Sequence, residues 1–186
     1  AVTLGAANTL NSSAGTLSLN NTINGAFGLT LSGNTGVTLG GIIGGSTALS
    51  SLDVTGVTNL NSTAVNTSGA QNFNSAVTLG ATSSLASSAG AINLASTVNG
   101  GFGLTLNGNT GVTLGGIIGG TTALTSLAVT GATAINGGAV TTTGTQTYNS
   151  ATTLGADSTF NTTNNNVSFG NTLNSSGSAR ALTVNA

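Results

Sequence analysis

The chain has 186 residues, of which one is Lys or Arg, two are Asp or Glu, and none is His, Cys, Met, Trp or Pro. Zinc, copper and iron–sulfur sites use His or Cys ligands, and calcium sites use clustered carboxylates, so we expect no metal and no cofactor. Binding to nucleic acid needs several Lys or Arg side chains against phosphates, so we expect no nucleic-acid partner.

The same composition favours a folded chain over a disordered one. Disordered segments are poor in β-branched residues and rich in charge, whereas this chain is rich in Val, Ile and Thr and has a mean hydropathy of +0.33. No apolar run approaches the roughly 18 residues of a membrane span, so we expect no membrane insertion. Residues 1–30 lack the basic start and apolar core of a signal peptide. We interpret the chain as a piece of a longer mature protein, or as a subunit whose ends are completed by neighbours.

A long internal repeat organises the chain. Residues 76–150 repeat residues 1–75 with 50 of 75 positions identical, and residues 151–186 form a partial, diverged third unit. In the third unit the segment LTV (182–184) is displaced by three residues, which indicates a small insertion. Internal repetition is typical of solenoids, so we interpret the three units as one continuous solenoid.

Short strands are predicted along each unit, because apolar and polar residues alternate with a period of two. Examples are residues 2–4, 17–19, 29–31, 37–39 and 77–79. The predicted fold class is all-β: a parallel β-helix, or β-solenoid, right-handed as parallel crossovers usually are. Val37, Val57 and Val77 lie 20 residues apart. We therefore divide the unit into four coils of about 19 residues, which predicts roughly ten coils and a rod of about 48 Å.

The phrase GGIIGG occurs at residues 40–45 and again at residues 115–120. Glycine adopts positive φ without steric cost, so we interpret these glycines as corners of a coil. Side chains alternate along a strand, so one isoleucine of each pair (Ile42 or Ile43, Ile117 or Ile118) should face the interior. A phosphate-binding loop is the alternative, but it needs a following helix and a nearby Lys, and neither is predicted.

Asparagine and aromatic residues recur at equivalent positions of the units. Asn24, Asn99 and Asn174 are predicted to stack as a ladder of amides. Two aromatic pairs also recur, Phe27 with Phe102 and Phe73 with Tyr148. We interpret these rings as core packing or stacking along the rod, and a carbohydrate platform as the alternative.

Several phrases of the chain resemble a known family. These are GTQTYNSATTLGADSTF at residues 144–160, GGTTALTSLAVTG at residues 119–131 and INGGAVTTTGTQTYN at residues 135–149. They look like the repeats of filamentous-haemagglutinin-like and autotransporter-like bacterial exoproteins. The resemblance implies a right-handed parallel β-helix, export from a Gram-negative cell, and a role at the cell surface as an adhesin, stalk or matrix fibre. It carries no site residue, because the shared motifs are structural.

Three functions are weighed. The first is an extracellular structural rod, whose partners are copies of itself or neighbouring repeats joined end to end, with contacts to host cells, glycans or other surfaces. The second is a glycan- or ice-binding module, which needs aligned Thr columns, whereas Thr is scattered in this chain. The third is an enzyme, which needs paired acids or bases. Asp53 and Asp157 are isolated substitutions on the repeat, so we expect no catalytic, cofactor-binding or metal-binding residues. Because almost nothing titrates between pH 5 and 9, stability should change little across that range.

Overall fold

The computed structural model describes residues 1–186 as 25 short β-strands without a helix. The strands are β1 (Val2–Thr3), β2 (Asn8–Ser12), β3 (Thr16–Leu19), β4 (Ile23–Asn24), β5 (Gly28–Gly33), β6 (Gly36–Leu39), β7 (Ser51–Thr55), β8 (Thr58–Leu60), β9 (Ala64–Thr67), β10 (Gln71–Phe73), β11 (Val77–Leu79), β12 (Ser83–Ser87), β13 (Ala91–Leu94), β14 (Val98–Asn99), β15 (Gly103–Gly108), β16 (Gly111–Leu114), β17 (Ser126–Thr130), β18 (Thr133–Ile135), β19 (Ala139–Thr141), β20 (Gln146–Tyr148), β21 (Thr152–Leu154), β22 (Ser158–Asn161), β23 (Val167–Phe169), β24 (Leu173–Ser175) and β25 (Leu182–Asn185). All five segments of alternating residues predicted to be extended overlap strands.

The strands build a β-solenoid with three faces of parallel strands. Face A contains β1, β4, β9, β12, β15, β17, β20 and β23, and the single residue Ile43 bridges β4 to β9. Face B contains β2, β5, β7, β10, β13, β16, β18, β21 and β24. Face C contains β3, β6, β8, β11, β14, β19, β22 and β25, and Ile118 bridges β14 to β19. The chain visits A, B and C in that order nine times, so the rod has nine coils.

The fold class is confirmed, but the predicted coil length and coil number are wrong. Stacked residues lie between 19 apart (Val129 with Tyr148) and 23 apart (Leu106 with Val129), and a coil averages about 21 residues rather than 19. The prediction assumed that a 75-residue unit holds a whole number of coils. The unit in fact spans eleven strand positions, which are β1–β10 and the bridging residue Ile43. Three positions make a coil, so each unit spans eleven thirds of a coil instead of four coils.

This fraction moves every repeat to a new face. Val2 lies on face A, but its counterpart Val77 lies on face C. In the same way strands of face C recur on face B, and strands of face B recur on face A, as with β10 and β20. The displaced third unit follows the rule, since Val184 stacks on Phe160 in face C, which confirms the predicted insertion of three residues. One sequence unit therefore fits each of the three faces.

The core is a narrow column of 32 buried apolar side chains. Each face contributes inward positions that stack coil on coil. On face A they are Val2, Ile23, Ile43, Val65, Leu85, Leu106, Val129, Tyr148 and Phe169. Inward residues of the first and last coils are half-exposed, among them Val2 at 50% and Val184 at 44%. The structure has no helix of the length and apolar content needed to cross a membrane.

Candidate functional site

The GGIIGG phrase forms an outward bulge in each repeat. Ile43 and Ile118 are fully buried, whereas Ile42 and Ile117 are exposed, so the prediction that one isoleucine of each pair faces inward is confirmed. Gly44 has φ 68°, a conformation that favours glycine. It turns the chain out of face A, and residues 45–47 lie exposed on the surface. The glycines thus shape a turn, as the corner interpretation predicted.

Asparagine side chains hold these bulges in place. The Oδ1 atom of Asn24 accepts from the backbone N–H groups of Ser46 at 2.9 Å and Thr47 at 3.4 Å. Asn99 makes the same pair of bonds to residues 121 and 122, at 2.9 and 3.3 Å. The predicted asparagine ladder is wrong, because Asn24, Asn99 and Asn174 lie on faces A, C and B respectively. The change of face between repeats prevents equivalent residues from stacking.

The recurring aromatic residues divide into a surface pair and a core pair. Phe27 and Phe102 are each 39% exposed, beside the bulges, whereas Phe73 and Tyr148 are fully buried. Core packing is therefore confirmed for the second pair only.

The structure adds an aromatic cluster that the sequence analysis missed. The ring of Tyr148 stacks on Phe169 at 5.1 Å and meets Phe160 edge-on at 5.6 Å, measured between ring centroids. The sequence does carry a signal for it, since Phe160 and Phe169 replace Leu85 and Leu94 of the preceding repeat.

A buried glutamine bonds three groups of the core in each of two coils. In coil 4 the Nε2 atom of Gln71 donates to the carbonyls of Val65 at 3.1 Å and Ala86 at 2.8 Å, and to Thr67 Oγ1 at 3.3 Å. In coil 8 Gln146 donates at the same distances to the carbonyls of residues 140 and 161 and to the hydroxyl of residue 142. Sequence analysis missed this network, although Gln occurs only at these two equivalent positions.

The two glutamines differ at their acceptor atom. The hydroxyl of Tyr148 donates to Oε1 of Gln146 at 3.3 Å. Phe73 stands where Tyr148 stands in the next repeat, and Oε1 of Gln71 is buried without a partner. Burial also raises the pKa of Tyr148 far above its ordinary value, because the phenolate would have to form away from water.

The two aspartates do not form a joint site. Asp53 faces outward on β7, where its carboxylate accepts from Asn74 at 2.8 Å and Asn72 at 3.3 Å. Asp157 precedes β22 and accepts from the N–H of Ala181 at 3.0 Å. They lie five coils apart, which is about 24 Å along the rod.

The longest outward column is mixed in residue type. On face B it reads Thr9, Thr30, Asp53, Asn72, Asn93, Thr113, Ala134, Thr153 and Asn174. No continuous threonine array of the kind needed by the ice-binding alternative is present on this face.

A groove runs along the corner where face A turns into face B, across coils 5–8. We call it the corner groove; it is lined by Ser87, Ser88, Asn107, Gly108, Asn109, Thr130, Gly131 and Ser150. Its volume is about 380 Å³, and none of its lining residues is apolar or charged. The N–H of Gly131 donates to Ser150 Oγ at 3.1 Å, which ties coil 7 to coil 8 at this corner. The sequence analysis missed the groove, because its residues come from four separate turns.

Comparison with known proteins adds no relative: no family model, no curated protein and no solved structure matches the chain. The fold and the geometry of these features therefore carry the functional argument.

Proposed function

We propose that this chain is a structural extracellular rod, either the shaft of a bacterial surface adhesin or a subunit of a secreted filament or matrix fibre. The proposal includes the finer family resemblance, to filamentous-haemagglutinin-like and autotransporter-like exoproteins. That resemblance rests on the quoted repeat phrases, and the β-solenoid is compatible with it. Localisation at the cell surface belongs to the same proposal.

The observation that carries the proposal is the interchange of the three faces. A repeat that fits faces A, B and C in turn can follow another copy of itself without a change in cross-section. The number of repeats then sets the length of the rod and alters nothing else. Stability in such a stack comes from nearest neighbours, so length can change without loss of the fold.

The end coils support assembly in line. The inward side chains of β25 and β1 are apolar and half-exposed, and their backbone edges are parallel strands. Such edges are templates for another strand. Either further repeats of the same chain or a second copy can therefore continue the core.

Cryo-electron microscopy of the native protein tests the proposal. We expect rods with a layer spacing of about 4.8 Å and labelling of intact cells by antibody. Deletion of residues 76–150 should shorten each rod or subunit by eleven thirds of a coil, about 18 Å. Duplication of the same residues should lengthen it equally. An unchanged length in both variants, or labelling only after lysis, would contradict the proposal.

A further inference from the structure

The corner groove has the size and length of a ligand site. Its volume of about 380 Å³ lies within the range of small-molecule pockets, about 300–1,000 Å³. It crosses four consecutive coils, so it extends about 14 Å parallel to the rod axis. The groove thus suits a short linear ligand that lies along the rod.

Its polar side chains are available to such a ligand. Ser88, Asn107 and Asn109 are exposed and their side chains make no hydrogen bond within the protein. Ser87 differs, because its hydroxyl already donates to the carbonyl of Gly69 and accepts from the N–H of Gly90. One hydroxyl and two amides therefore offer both donors and acceptors toward the groove.

Two glycines keep the groove open. A Cβ atom at Gly131, where φ is 116°, would lie 2.1 Å from the carbonyl oxygen of Gly108. A Cβ atom at Gly108 would lie 2.2 Å from the carbonyl oxygen of Gly111. Neither position accepts a side chain, so backbone lines the groove between its polar walls.

The charged groups of the chain lie away from this corner. Asp53 is on face B in coil 3. Asp157 and Arg180 lie in the connections between faces B and C, whereas the groove joins faces A and B. An uncharged ligand therefore meets no unpaired charge here, and a charged ligand gains no counter-ion.

The first repeat supplies a natural comparison. Its equivalent residues are Ser12, Ser13, Ser32, Gly33, Asn34, Thr55, Gly56 and Ser75. They match the corner groove at every position except one, where Ser32 replaces Asn107. This corner joins faces B and C and includes the first coil, and it forms no comparable groove. The side chain of Asn107 is the one chemical difference between the two corners.

We propose that the corner groove binds a segment of an uncharged oligosaccharide. Hydroxyl and amide groups repeat along it at the coil spacing of about 4.8 Å, which is comparable to the rise of one pyranose unit in an extended glycan. Asn107 and Asn109 hydrogen-bond the sugar hydroxyls, and Ser88 closes one end. This binding goes beyond the proposed structural role and does not depend on it.

The test is an amide ¹H–¹⁵N titration of the whole chain with maltotetraose, cellotetraose and mannotetraose, and with tetragalacturonate as the charged comparison. We expect at least one neutral sugar to shift Ser88, Gly108, Asn109 and Gly131, with little shift in residues 12–13 and 32–34. Tetragalacturonate should leave the groove unchanged. Asn107→Ser should weaken binding about fivefold, as expected for the loss of one or two hydrogen bonds.

The variant pair Asn109→Ala and Asn34→Ala separates binding from general surface effects. The first should weaken binding by a similar factor, and its counterpart Asn34→Ala should leave binding unchanged. Both residues are exposed, so the melting temperature should stay within experimental error in each variant. The proposal is overturned if no neutral sugar shifts the groove, if both corners respond equally, or if Asn107→Ser binds as the native chain does.

Discussion

The buried glutamines of coils 4 and 8 make the same three hydrogen bonds on different faces of the rod. Gln71 lies on face B and Gln146 on face A, yet each donates at 2.8 to 3.3 Å to two carbonyls and a threonine hydroxyl. The local sequence therefore determines this network, and the face on which it lies does not matter.

One atom distinguishes the two networks. The hydroxyl of Tyr148 gives Oε1 of Gln146 a donor, whereas Oε1 of Gln71 has none. A buried polar atom without a partner costs about 1–3 kcal/mol. Coil 8 should therefore draw more stability from its glutamine than coil 4 does, and each prediction below changes one side of this comparison.

The largest effect is expected from replacing the glutamines. Gln146→Leu leaves two carbonyls and two hydroxyls without their partner, and we expect it to lower the free energy of unfolding by about 3 kcal/mol. Gln71→Leu loses three bonds but also removes the unpaired oxygen, so we expect about 2 kcal/mol. Urea unfolding of both variants measures the difference. Equal losses, or a larger loss at Gln71, would contradict the assigned networks.

High pH should reveal the buried tyrosine. Burial raises the pKa of Tyr148 in the folded chain above its unfolded value of about 10. Its contribution is therefore fully present below pH 10 and is lost above it, at about 1.4 kcal/mol per pH unit. Tyr148 is the only tyrosine, and the chain has no Cys or His.

Unfolding curves between pH 8 and 12 test this dependence, with Tyr148→Phe as the control. The control should lack the decline above pH 10. A decline of the same steepness in Tyr148→Phe would show that another process unfolds the rod at high pH.

The sequence predicted the class of the fold but not its pitch. Alternation in segments such as VTL at residues 77–79 is a local property, and the strands appear where it occurs. Coil length depends on how many residues each corner uses, and the bulge after Ile43 shows that corners differ. The identity of positions 75 residues apart invited the assumption of stacking, yet eleven strands do not divide evenly into three faces.

Surface features were predictable only where one segment contains them. The inward and outward isoleucines of GGIIGG follow from strand alternation alone. The corner groove and the bonds of Asn24 to Ser46 and Thr47 join different coils. Predicting them requires the register between coils, which the assumed length of 19 residues placed two residues short in each turn.

The smallest effect, and the most direct test of the comparison, comes from exchanging the two aromatic residues. Phe73→Tyr places a donor beside the unpaired oxygen of Gln71, and we expect it to raise the free energy of unfolding by about 1 kcal/mol. Tyr148→Phe recreates the coil 4 arrangement in coil 8 and should lower it by about the same amount. The two sites lie about 19 Å apart along the rod, so their effects should add. The double variant should then unfold close to the native urea midpoint at pH 7. Destabilisation by Phe73→Tyr would show that the core around coil 4 has no room for the hydroxyl, and that the two networks match in hydrogen bonding but not in packing.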